Sequence, residues 1–149
     1  RKTRLAAGKE KLPSLDHLLR EFGMDTSQVT KIGEGTFGEV FQSGGEFGTV
    51  FKIVPVGGTS GSEPQKSVQE MRVEAAIAQE LSKLRGPRAE EAASGNGWCP
   101  CLCELRAWGL CRGAYGPELL AAWDEFAGSR ATENDRPDCH PETQVFCVL

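Results

Sequence analysis

The sequence has no apolar run long enough to cross a membrane and no signal-peptide core at its start, which argues against a spanning or secreted protein. It also lacks a large excess of charge. The formal net charge of 149 residues is -4, so the chain as a whole does not advertise nonspecific binding to nucleic acid. Only the start is locally basic, with Arg1, Lys2, Arg4, Lys9 and Lys11, and residues 1–13 read as a solvated, disordered tail. The six cysteines lack the paired spacing of a structural zinc site. Cys99, Cys101 and Cys103 alternate beside Trp98, Cys111 follows, and Cys139 precedes His140, whereas zinc ligands usually pair at Cys-x2-4-Cys. Free thiols in a reducing compartment are the expectation, with no metal site.

What the chain does have is glycine, 18 residues of it, and three stand at a telling spacing. Ile32-Gly33-Glu34-Gly35-Thr36-Phe37-Gly38-Glu39-Val40 precedes Thr49-Val50-Phe51-Lys52. Glycines so placed let backbone turn tightly and approach a polyphosphate, and a lysine supplies a cation for the same phosphates. A dinucleotide-binding fold uses similar glycines, but there the loop opens a helix. Here Val40 and Phe41 favour extended structure and Gly44-Gly45 then turns the chain, so the order is strand, glycine turn, strand.

Gly48 to Val54 reads as a third strand, ended by Pro55, with period-two alternation placing Lys52 beside Val50 and Val54. A lysine on an apolar face needs a carboxylate unless it snorkels outward from an edge. The next element, residues 67–84, is free of glycine and proline and reads as a helix. At 100° per residue Met71, Ile77, Ala78 and Leu81 share an arc centred on Glu74, with Glu70 at its rim and Glu80 pointing away. Glu74 is therefore the expected partner of Lys52, unless that face is solvated.

With those residues in place, the chain resembles the amino-terminal lobe of a haspin-type serine/threonine protein kinase. The resemblance runs from about Ser14 to Leu149 through Lys31-Ile32-Gly33-Glu34-Gly35, Gln79-Glu80-Leu81-Ser82, Leu119-Leu120-Ala121-Ala122-Trp123-Asp124 and Asn134-Asp135-Arg136-Pro137-Asp138. It implies an α+β lobe over residues 14–149: an antiparallel five-stranded sheet, a regulatory helix carrying Glu74, and an extra family-specific helix. It further implies that Lys52 and Glu74 form the catalytic ion pair. Ile32, Gly33, Glu34, Gly35, Thr36, Phe37, Gly38, Val40 and Lys52 would bind ATP, with Ile32 and Val40 over the adenine. Phe51, where most kinases place a small residue, is expected to reshape the adenine pocket.

Coarsely, helices are expected near Leu15–Phe22 and Pro117–Phe126, a fourth strand near Leu105–Leu110 and a final strand over 144–149. A Gly/Ser-rich linker, residues 56–64, joins the third strand to the Glu74 helix. No His-x-Asp loop and no Asp-Phe-Gly motif occurs; Glu21-Phe22-Gly23 and Glu46-Phe47-Gly48 stand in the wrong places. With Arg at the start and a strand at its end, the chain is expected to be an incomplete kinase domain, inactive alone, with its last strand poorly protected. The resemblance implies a nuclear protein with ATP and a histone tail as partners, and magnesium held by a carboxy-terminal lobe. The alternative is a pseudokinase or a non-catalytic interaction module that kept the fold.

Overall fold

A computed structural model describes residues 11–45, 48–58, 65–84 and 101–149, together with the backbone of 2–4. In chain order the elements are β1 (Lys2–Arg4), α1 (Leu15–Glu21), β2 (Val29–Gly35), β3 (Gly38–Ser43), β4 (Thr49–Val56), α2 (Val68–Lys83), β5 (Ala107–Arg112), α3 (Pro117–Ser129) and β6 (Val145–Val148). The sheet order is β1-β5-β6-β4-β3-β2. Five strands run antiparallel to their neighbours, as expected. A sixth, β1, adds in parallel to β5 at the edge, so part of the expected tail carries strand backbone.

Alternation along the strands gives the sheet two apolar faces, each covered by helix. On one face Phe41, Phe51, Ile53, Phe146 and Val148 pack against Leu15, Leu18 and Leu19 of α1 and Leu119 and Ala122 of α3. Phe41 stacks on Phe51 with centroids 5.7 Å apart, and Tyr115 meets the edge of Phe146 at 5.5 Å. On the other face Val54, Val56, Trp108, Leu110 and Cys147 pack against Met71 and Ala75 of α2. Burial pushes the Cys111 and Cys147 thiols up to about 12, one on each face.

The helices start where their caps dictate. Ser14 caps α1, its hydroxyl accepting from the His17 N–H. Ser67 and Glu70 form a capping box on α2: the Glu70 N–H donates to the Ser67 hydroxyl and the Ser67 N–H to the Glu70 carboxylate. Pro117 opens α3 at its first turn, where a missing N–H costs nothing. At the far end of α2, Ser82 Oγ accepts from the Leu105 N–H at 2.8 Å and ties the helix to the approach to β5.

Four expectations need correction. Pro55 does not end its strand: pairing with β3 stops at Ile53, so Pro55 has a strand neighbour only on the β6 side. The final strand is not exposed, because β6 lies between β5 and β4 and buries Phe146, Cys147 and Val148 completely. The apolar stripe of α2 is partly misplaced: Met71 is buried as expected, but with Ala75 and Ser82, while Ile77 is 55% and Leu81 42% exposed. Small side chains let the helix lie close on Val54 and Cys147, and that choice turns the larger residues outward. Phe51 belongs to the opposite face from Lys52, in the core under α1, so it does not shape the adenine side. The segments 59–64 and 85–100, holding most of the linker and Cys99, lie outside the described residues.

Candidate nucleotide-binding site

The glycine turn is a hairpin between β2 and β3, closed by the Gly35–Gly38 pair. Its register slips between Lys31 and Gly33, so Ile32 is a bulge. Beyond the bulge Gly33 lies opposite Val40, and Val40 opposite Lys52 on β4. Cross-strand partners share a face, so Gly33, Val40 and Lys52 line the side of the sheet that α2 covers.

Lys52 reaches up beneath the hairpin. A Cβ placed on Gly35 would sit 3.8 Å from Lys52 Nζ, so lysine and glycine loop enclose one space. The three glycines are not equivalent. A Cβ on Gly38 would fall 2.3 Å from the Ile53 carbonyl oxygen, so the close approach of β3 to β4 itself demands glycine there. A Cβ on Gly33 would meet nothing within 4 Å. The fold does not ask for glycine at 33, and a ligand lying against the backbone there would. The residues present therefore fit a polyphosphate: bare backbone above, a cation below, and Ile32, 39% exposed, with Val40 beside them.

Lys52 and Glu74 are on the same side of the sheet but are not paired. Glu74 is held by Lys66 at 2.5 Å, with side chains 39% and 24% exposed respectively. Lys66 Nζ also lies 5.0 Å from the centre of the Phe37 ring, so the hairpin tip closes down over this pair. Lys66 sits just before the Ser67 cap and bridges to Val56, which brings its side chain along the first turns of α2. Thr36 at the tip is exposed.

Glu34 faces the other way. The bulge at Ile32 puts Lys31 and Glu34, three residues apart, on the face covered by α3. Lys31 Nζ, whose side chain is fully buried, contacts Glu34 Oε2 at 2.6 Å and Glu39 Oε2 at 2.7 Å. It also lies over the rings of Phe126 and Trp123, 4.3 and 5.1 Å from their centres. Thr132 Oγ1 donates to Glu34 Oε2 at 2.6 Å and the Glu133 N–H to Glu34 Oε1 at 2.7 Å. Asn134 Nδ2 donates to Glu39 Oε1 at 2.8 Å and to the Gly35 carbonyl at 3.3 Å. Burial works against the Glu34 carboxylate, but hydrogen bonds from Lys31, Thr132 and the Glu133 N–H, with the Lys31 charge, prevail and hold its pKa down at about 2. Only the backbone of Glu34 is therefore left for the face that carries Lys52.

Sequence reasoning missed Lys31, Lys66 and Thr132. The signal for Lys31 was slight: a bulge, which composition does not announce, is what turns it inward. Among the described residues no three His, Cys, Asp or Glu side chains cluster to hold a metal ion. No described helix is long and apolar enough to cross a membrane.

No protein-family profile matches the chain. Individual proteins do. The chain is 36% identical, over 127 residues that make up 84% of it, to a serine/threonine-protein kinase haspin homolog of Arabidopsis thaliana. It is 37% identical over 123 residues, 80% of it, to the serine/threonine-protein kinase haspin of Mus musculus, and 29% identical over 129 residues to a haspin homolog of Drosophila melanogaster. The chain is of the haspin type. It spans a fifth of the Arabidopsis protein's length and 15% of the mouse protein's. The haspin-type lobe is α+β, with the sheet, the α2 helix and the glycine hairpin of a kinase nucleotide lobe. Its α3 and the following Asn134-Asp135-Arg136-Pro137-Asp138 stretch brace the back of that hairpin, and Arg136 is itself fixed by Asp124 of α3 at 2.7 Å and by Asp138.

Proposed function

We propose that this chain is the ATP-binding lobe of a serine/threonine protein kinase. Lys52 Nζ beneath Gly35, with open space over Gly33, is the observation that carries this reading. In it, Gly33, Gly35 and Gly38 with Thr36 and Phe37 cover the phosphates, Lys52 neutralises them, and Ile32 and Val40 flank the adenine. Glu74 releases Lys66 and takes Lys52 as the site is completed, since that pair fixes the lysine against the phosphates.

The base that accepts the substrate's hydroxyl proton and the magnesium ligands come, in this reading, from sequence other than these residues, and the 149 residues alone bind without turning over. The substrate is the tail of a histone and the setting the nucleus, both on the strength of the haspin resemblance. The second reading is a pseudokinase or interaction module. Glu74 resting on Lys66 favours it, whereas Lys52 Nζ beneath Gly35 and the open backbone at Gly33 favour the kinase.

The test is phosphate transfer from labelled ATP to histone-tail peptides by the protein that contains this lobe. Lys52→Met and Glu74→Ala should each lower turnover by about a hundredfold or more, since positioned charge supplies most of the rate, and leave the unfolding midpoint close to its original value. Turnover that survives both substitutions would remove Lys52 and Glu74 from these roles.

A further inference from the structure

The polar cluster behind the glycine hairpin has no part in contacting nucleotide. It faces α3, on the opposite side of the sheet from Lys52. Yet four hydrogen bonds from the Thr132–Asn134 segment end on the hairpin itself. Glu34 and Glu39 are cross-strand neighbours, one at each root of the Gly35–Gly38 turn, and like charges so placed repel. Lys31 sits between them at 2.6 and 2.7 Å. From the other chain segment Thr132 and the Glu133 N–H hold Glu34, while Asn134 holds both Glu39 and the Gly35 carbonyl. The Asn134 bond to the Gly35 carbonyl orients the peptide unit whose other side would face phosphate.

We propose that Lys31 and the Thr132–Asn134 segment form a clamp that holds the glycine loop from behind in its phosphate-covering shape before nucleotide arrives, making Lys31, Thr132 and Asn134 positioning residues for the site. The inference rests on the reading of the hairpin as a nucleotide loop. A loop of glycines samples many backbone conformations, and only those that aim their amides at the phosphates bind. A protein whose competent conformation is populated to a fraction f shows an affinity reduced by that fraction, so fixing the loop in advance strengthens binding without any new ligand contact. The carboxylates of Glu34 and Glu39 are thereby kept off the anionic ligand, bonded on the far face.

The test compares the chain with Asn134→Ala and Thr132→Val, which remove one neutral partner each, and with Lys31→Arg, which keeps the charge. Two quantities are read: hydrogen exchange of the amides of residues 33–38 without nucleotide, and affinity for ATP. Asn134→Ala should speed exchange in 33–38 about tenfold and weaken ATP about tenfold, as a fall of the competent fraction to a tenth requires. Exchange of Phe146–Val148 should not change, and Lys31→Arg should stay closer to the parent in both readouts than Asn134→Ala. Unchanged loop exchange in both Asn134→Ala and Thr132→Val overturns the clamp, as does faster loop exchange with ATP affinity intact. If the unsubstituted chain binds no ATP, the nucleotide reading fails, and loop exchange alone decides whether the clamp exists.

Discussion

Lys31 is the residue whose environment is most demanding, since a fully buried ammonium persists only where carboxylates meet it closely. The pH dependence of that arrangement can be worked out from Glu34. Its pKa falls from the usual 4.5 to about 2 on folding, so the folded chain binds this proton less readily than the unfolded chain. The stability it contributes is therefore whole above about pH 4.5 and drains away as the pH falls towards 2. Urea midpoints measured from pH 6 to pH 2 for the chain and for Glu34→Gln should converge as the pH falls. A gap between the two that stays constant across this range would mean that Glu34 is not ionised on Lys31. Glu34 also shows a limit of sequence reading. Its place inside the glycine motif suggests a phosphate contact, but a single bulged residue at Ile32 rotates its side chain to the opposite face, and no local pattern signals a bulge.

At the scale of elements, the strands were legible because β-branched and aromatic residues alternate in them and because glycines mark their ends. The helix starts fall close to those expected, where Ser14, Ser67 and Pro117 cap or open them. The buried face of α2 was legible only in part. Hydrophobic periodicity groups Ile77, Ala78 and Leu81 with Met71, whereas packing on Val54 and Cys147 takes Met71 with Ala75 and leaves Ile77 and Leu81 outside. Met71→Ala should accordingly cost about 2–5 kcal/mol, and Ile77→Gln no more than about 0.5 kcal/mol, both read from denaturant unfolding. Equal losses would restore the stripe expected from sequence. The hairpin separates in a similar way. Gly38→Ala drives a Cβ against the Ile53 carbonyl and should lower the unfolding midpoint, while Gly33→Ala should leave that midpoint unchanged and weaken ATP instead. A stable Gly38→Ala chain would show that β3 and β4 can separate there without cost.

The whole molecule is a sheet with two working sides. One side carries Lys52, the open glycine backbone and α2; the other carries α1, α3 and the Lys31 cluster that braces the hairpin from behind. Glycine spacing and strand alternation placed the glycines and Lys52, and the haspin resemblance added the α3 stretch, since all of these are carried by short, recognisable motifs. Neither foresaw that Glu74 rests on Lys66, because that depends on how the segment before α2 is led past Val56. Nucleotide binding requires Lys52 and the hairpin to enclose one phosphate site. A calorimetric titration of the chain and of Lys52→Met with ATP tests this most directly. Saturable one-to-one binding by the chain, weakened about tenfold or more in Lys52→Met, corresponds to a loss of at least about 1.4 kcal/mol of binding free energy and is the predicted result. Equal affinity in the two, with both chains folded, would contradict it.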